Sequence, residues 1–131
     1  LWACAGTLLV ADTLRGAILR YRADGTFVRE LAVGEAARPH AVLGLPRGAV
    51  LFVDRSADPP LRLLTIDGAA APLPADAGRQ VRDPQALAAD DGGRVYVLDH
   101  GGERVVRLSP ALHFDQIVID LAEWLDDPPH G

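Results

Sequence analysis

Three stretches of this chain are built on one template. They are Gly6-Thr7-Leu8-Leu9-Val10-Ala11-Asp12, Gly48-Ala49-Val50-Leu51-Phe52-Val53-Asp54 and Gly93-Arg94-Val95-Tyr96-Val97-Leu98-Asp99. Each runs Gly, one variable residue, four apolar residues, then Asp. The Asp residues lie 42 and 45 positions apart. A second marker keeps the same beat: Pro39-His40-Ala41, Pro84-Gln85-Ala86 and Pro129-His130-Gly131 recur every 45 residues. Repeats of this length are supersecondary units that cannot bury their apolar faces alone and must stack on one another.

Within each unit the sequence predicts four short strands. The first follows the Pro, at 41–45 and 86–89. The second is the apolar run ending in Asp. The third covers 17–22, 61–66 and 104–108. The fourth covers 27–33 and 114–120, and is poorly marked in the middle unit, where 69–74 is rich in Ala and Pro. Turn residues separate them, clearest at Pro46-Arg47-Gly48, Asp24-Gly25 and Asp67-Gly68. Short strands with turns at this spacing are an all-β signal. Continuous apolar runs such as 8–11 suit strands covered on both faces. No segment keeps a 3.6-residue apolar period for ten residues, except for a hint at 119–125 that flanking Pro and Gly oppose. The fold class is therefore all-β, a β-propeller fragment of four-stranded antiparallel blades, because radial stacking covers each sheet with its neighbours. The predicted divisions are a partial blade at 1–38 lacking its first strand, a blade at 39–83, a blade at 84–128, and the start of a further blade at 129–131. Propellers typically have about four to eight blades. The expectation is a piece of a longer, six-bladed ring, closed by the remaining blades of the same chain. The alternative is self-association of partial rings. With blade faces left open, 131 residues alone are expected to fold poorly as a monomer.

Composition removes several function classes. Net charge is −5, and the 13 basic residues, all Arg, are scattered, so no nucleic-acid surface is expected. No stretch approaches the about 20 apolar residues of a membrane span. The single cysteine, Cys4, excludes an intrachain disulfide framework and a Cys-rich zinc site. The chain has no Met, so Leu1 is not expected to be a natural start. Leu1-Trp2-Ala3-Cys4 resembles the end of a lipoprotein signal only faintly, since no basic and apolar lead precedes it. A soluble chain is expected, with an extracytoplasmic address left open.

The blades resemble the NHL-repeat propellers. Leu9-Val10-Ala11-Asp12, Asp24-Gly25-Thr26-Phe27-Val28 and Arg104-Val105-Val106-Arg107-Leu108 carry the resemblance. It implies six-bladed propeller architecture. It does not imply one function, because that family mixes enzymes, sensors and protein-binding scaffolds. The Asn usual after the Asp is absent throughout, and the Arg opening strand three is present only as Arg104.

Asp12, Asp54 and Asp99 could ligate a metal or substrate near one mouth of the ring. Their presence in every blade favours a structural role, capping the turn after strand two by accepting backbone N–H bonds. His40 and His130 follow the Pro that opens the innermost strand, two blades apart, with Gln85 in the same place between them. In a six-bladed ring, three such histidines in alternate blades could converge on the axis as zinc ligands, the third coming from outside this chain. The plainer alternative makes both polar fillers at the channel mouth. The pattern resembles the peptidyl-hydroxyglycine amidating lyases. There Pro39-His40 and Val53-Asp54-Arg55 match a blade that supplies a zinc His and a catalytic Arg. That resemblance implies zinc, with Arg55 steadying negative charge on the substrate oxygen. Leu14 stands where such enzymes carry a catalytic Tyr. His100 and His113 are expected to be solvated. Trp2 and Trp124 are expected as wedges between blades or packing near the ends. Asp90, Asp91, Asp126 and Asp127 are expected to form a solvated acidic face.

Taken together, the sequence predicts a propeller segment acting as a binding scaffold, with a peptide, protein or small-molecule ligand on the loops of one face. The enzymatic alternatives are the zinc-dependent lyase and a lactone-hydrolysing propeller. The latter needs a Glu, Asn and Asp metal set, and this chain has no Asn.

Overall fold

The computed structural model describes residues 1–4, 6–33, 37–99 and 103–121. Three four-stranded antiparallel sheets follow one another along the chain. The first blade holds β1 (Trp2–Cys4), β2 (Thr7–Asp12), β3 (Ala17–Arg22) and β4 (Phe27–Ala32). The second holds β5 (Pro39–Gly44), β6 (Val50–Asp54), β7 (Leu61–Leu64) and β8 (Ala70–Ala71). A short helix, α1 (Ala75–Gln80), leads to the third, β9 (Ala86–Ala89), β10 (Val95–Asp99), β11 (Arg104–Leu108) and β12 (Phe114–Asp120). In each sheet the strands pair in sequence order, as a meander.

The repeated apolar run forms the second strand of each blade. Its period-2 alternation divides its side chains between two interfaces. In β6 every residue is buried. Val50 and Phe52 join Leu9, Ile18, Leu31, Val42 and Leu64 between blades one and two. Leu51 and Val53 join Val95, Val97, Val106 and Leu108 between blades two and three. The middle blade is thus covered on both faces, as a continuous apolar run requires. In β10 only Val95, Val97 and Asp99 are buried, while Tyr96 and Leu98 are half-exposed, and in β2 only Leu9 is buried. Those two strands are covered on one face.

Turn chemistry also repeats. The Gly that opens each template takes positive φ: 82° at Gly6, 80° at Gly48 and 85° at Gly93. Only a residue without Cβ adopts that conformation without penalty, so the repeated Gly is a requirement of the turn between strands one and two. The turn between strands three and four recurs too. Gly25 and Gly68 take positive φ there, and Leu112 occupies the same place in blade three at 68°. Leu112 is buried in the cluster between blades two and three. Burial of its side chain offsets a backbone strain on the order of 1 kcal/mol.

The structure departs from the sequence expectations in three places. Blade one does not lack its first strand: Trp2–Cys4 pairs with β2, Cys4 opposite Thr7. Its turn is shorter than the turns at 45–49 and 90–94, so the ladder continues through positions where the other blades are already turning. In blade two, strand four shrinks to Ala70–Ala71, and the helix Ala75–Gln80 takes up the chain beyond it. Asp90 is not simply solvated. Its carboxylate accepts bonds from the Arg94 side chain and backbone, the Gly92 N–H and the Tyr96 hydroxyl. The helical hint at 119–125, which flanking Pro and Gly oppose, overlaps at its start the strand expected at 114–120, which is β12. Beyond residue 121 it lies outside the described residues, as do His100, Trp124, Asp126 and Asp127.

Candidate functional site

The repeated Asp residues, the Pro-His and Pro-Gln pairs and Arg55 all gather at one end of the three blades. Here strand two finishes and strand one of the same blade begins. Asp54 stands opposite Pro39 in the β5–β6 ladder. Its Oδ1 accepts the Arg38 N–H at 2.9 Å, the Ser56 N–H at 2.9 Å and the Ser56 hydroxyl at 2.6 Å. Asp99 is fully buried. Its Oδ1 accepts the N–H groups of Asp83 at 2.7 Å and Arg82 at 3.1 Å, and its Oδ2 pairs with the Arg104 guanidinium at 3.0 Å. Arg104 also donates to the Gln80 carbonyl. Each carboxylate therefore holds the chain segment that enters its own blade. Asp12 makes a lesser bond, to the Arg15 N–H at 3.2 Å.

These contacts explain the repeated Asp in structural terms: a carboxylate offers several acceptor sites to backbone donors that a turn leaves unpaired. They also set its charge state. Burial pushes the Asp54 carboxyl up, but the Ser56 hydroxyl and the Arg38 and Ser56 N–H groups outweigh it and hold the group below the usual carboxylate range.

The residues after Asp12 and Asp54 reach across to the next blade. Thr13 donates its hydroxyl to the Pro39 carbonyl at 2.8 Å. Arg55 donates from Nη2 to Gln85 Oε1 at 2.5 Å, and the Gln85 amide donates on to Asp83 Oδ1 at 3.1 Å. Arg55 is thus a clasp between blades two and three, with its guanidinium exposed. Gln85, in the repeat position of His40, is its partner. Neither Thr13 nor Gln85 stood out in the sequence as a site residue. The signal was there in the repeat register, which sets the position after Asp beside the position after the next blade's Pro.

His40 is exposed on the innermost strand. Pro39 pairs with Asp54 and Val42 with Phe52, so His40 and Ala41 stand opposite the single Val53. This is a bulge, and bulges re-aim side chains at strand ends. Blade three shows no such shift: Ala86 to Ala89 pair evenly with Leu98 to Val95. His130 lies outside the described residues. Among the described residues, no three His, Cys, Asp or Glu side chains converge as a metal cage. His113 is exposed but not fully free, since its Nδ1 lies 3.4 Å from Asp76 Oδ2.

Beside Arg55, a cleft of about 330 Å³ opens between blades two and three. Arg55, Asp58, Arg82 and Asp83 supply its charged groups, and Pro60 and Pro84 its apolar walls. Both signs of charge are present within a rigid frame, and the frame is tied down by Asp54 and Asp99 from beneath.

No family model matches the sequence, and no curated protein is similar to it. Its structure, by contrast, is similar to several solved ones. A catalytically inactive virginiamycin B lyase from Staphylococcus aureus with quinupristin aligns at a TM-score of 0.58 and 18% identity, over 88% of this chain and 38% of that one. The selenomethionine-substituted virginiamycin B lyase from the same organism aligns at 0.57 and 21%, over 89% and 40%. A chain of the nidogen/laminin complex aligns at 0.65 and 17%, over 87% and 44%. The chain spans about two fifths of the length of these structures. The likeness is one of fold: these blades are β-propeller blades.

Proposed function

We propose that this chain is a propeller-type binding scaffold whose Asp-bearing end takes a peptide or protein segment. One observation carries the reading. The loops at that end are pinned from below by the carboxylates of Asp54 and Asp99 and laterally by the Arg55–Gln85 bond, while Arg55, Asp58, Arg82 and Asp83 remain exposed around the cleft. A platform already ordered before binding loses little entropy on complex formation. Charged groups of both signs suit the polar backbone and side chains of a peptide. The structural neighbour in the nidogen/laminin complex, a propeller caught in a protein complex, supports the same use of the fold.

A second reading is the zinc-dependent lyase. The bulge that displays His40, and the position of Arg55 one residue beyond its ladder partner pair, favour it, as does the fold likeness to virginiamycin B lyase. In that reading His40 and His130, with a third histidine from outside this chain, would hold zinc, which would act as a Lewis acid. Arg55, fixed by Gln85, would steady negative charge growing on a substrate oxygen.

A peptide selection against the immobilised chain, coupled to metal analysis, tests both. The scaffold reading expects selected peptides to lose about tenfold or more in affinity on Arg82→Ala or Asp58→Ala, with an unchanged urea midpoint. Peptides that bind both variants as well as the parent would refute it. One zinc per chain, lost in His40→Ala, would establish the lyase reading's metal instead.

A further inference from the structure

A cavity larger than the cleft beside Arg55 lies at the opposite end, and it has the chemistry of a separate site. It measures about 780 Å³ and is bounded by Trp2 and Leu9 of blade one, Leu45, Pro46 and Ile66 of blade two, and the end of β9 in blade three. That volume is in the range of small-molecule sites, which are mainly apolar with a few fixed polar groups. The apolar wall is built rather than incidental. The Trp2 indole lies directly over Gly44, so close that any Cβ at that position would overlap its ring. Trp2 packs against both inter-blade clusters, which fixes the ring as a platform.

One cation, Arg20, lines this mainly apolar cavity. Arg20 stands opposite Leu9 in the β2–β3 ladder and is half-buried. Its Nη2 donates to the Gly48 carbonyl at 3.0 Å. Its Nε is buried without a hydrogen-bond partner, and among the described residues no carboxylate pairs with the guanidinium. A partly desolvated cation without a counter-charge is costly, and an arriving anion removes that cost. On the far rim Asp90 is already engaged by Arg94 and Tyr96, while Asp91 is exposed.

We propose that this cavity is a binding site for a small amphipathic carboxylate, its aromatic or aliphatic body on Trp2 and its carboxylate on the Arg20 guanidinium. The site is independent of the Asp-bearing end. It stands or falls without the scaffold reading.

Cys4, the chain's one cysteine, lines the same cavity and is exposed. It therefore reports on occupancy at this place and nowhere else. The experiment measures alkylation of Cys4 by iodoacetamide during titration with 1-naphthoate, and with the neutral 1-naphthylmethanol, alongside calorimetry for stoichiometry. The expected result is saturable protection by naphthoate at one site per chain. Naphthylmethanol should bind about tenfold more weakly, as expected for loss of one charge-assisted contact. Arg20→Met, which keeps the apolar stem, should weaken naphthoate about tenfold and abolish its advantage over the alcohol. Should Arg20→Met fail to fold, Ala89→Phe fills the cavity from the exposed end of β9 and should remove protection. Naphthoate binding that leaves Cys4 alkylation unchanged would overturn the proposal. So would affinity unaffected by Arg20→Met or, in its place, Ala89→Phe.

Discussion

Replacing Asp99 by Ala separates a carboxylate that holds a blade together from one that merely decorates a turn. Asp99 is wholly buried and receives two backbone N–H groups and the Arg104 guanidinium. Truncation would leave those N–H groups unpaired at the entry to blade three. It would also strand Arg104, whose side chain is 16% exposed. Removing one member of a buried ion pair costs about 3–5 kcal/mol. Against a domain stability of roughly 5–15 kcal/mol, that is a large fraction. With a urea dependence of about 2 kcal/mol per molar, the unfolding midpoint should fall by about 1.5–2.5 M. Asp12→Ala removes one long bond at an exposed turn and should cost only about 0.5 kcal/mol. A double-mutant cycle with Arg104→Met should return a coupling of about 1–3 kcal/mol. If Asp99→Ala costs no more than Asp12→Ala, the carboxylate is not the fastening inferred from its bonds.

Three further outcomes follow from the same structure. The Asp54 carboxyl lies below its unfolded value, so its stabilisation is complete above about pH 4 and lost as pH falls through the folded value. The stability gap between the parent and Asp54→Asn should hold from pH 7 to about 5 and narrow below about 4, followed by urea titrations at each pH. Leu51→Ala empties a site packed between blades two and three and should cost about 2–5 kcal/mol by the same assay, well above Leu8→Ala on the half-exposed face of β2. Gly44→Ala drives a methyl into the Trp2 ring and should cost about 1–3 kcal/mol, most of it recovered in a Trp2→Leu background.

Much of this architecture was legible because the constraint is periodic. Four apolar residues between a left-handed Gly and an Asp mark the second strand of every blade, and in β6, the middle one, that strand is covered on both sides. The Pro marker located the inner strands: β9 starts at Ala86 as expected, and β5 starts at Pro39, two residues before the expected 41. What the repeat could not carry were local exceptions. Strand β1 was hidden because a shorter turn moves pairing into positions that are loop elsewhere. The helix Ala75–Gln80 has a single buried residue, Ala77, and so no apolar period to reveal it. Leu112 fills a left-handed position that its chemistry disfavours, and only the cluster beneath it explains the choice. At the candidate site, His40, Arg55 and the Asp residues were visible as types in a pattern. The Arg55–Gln85 clasp and the bulge at His40 were not, because both depend on how two segments about 15 to 30 residues apart meet.

The account rests on one blade being held between two others by the alternating sides of a single strand. Nuclear Overhauser contacts between methyl groups test this directly. Val50 should show contacts to Leu9, Ile18 or Leu31 and none to Val95 or Val97. Leu51 and Val53 should show contacts to Val95, Val97, Val106 or Leu108 and none to Ile18. The opposite parity, or all four residues of the run contacting a single neighbouring sheet, would contradict the stacking from which the platform, the clasp and the cavity are all derived.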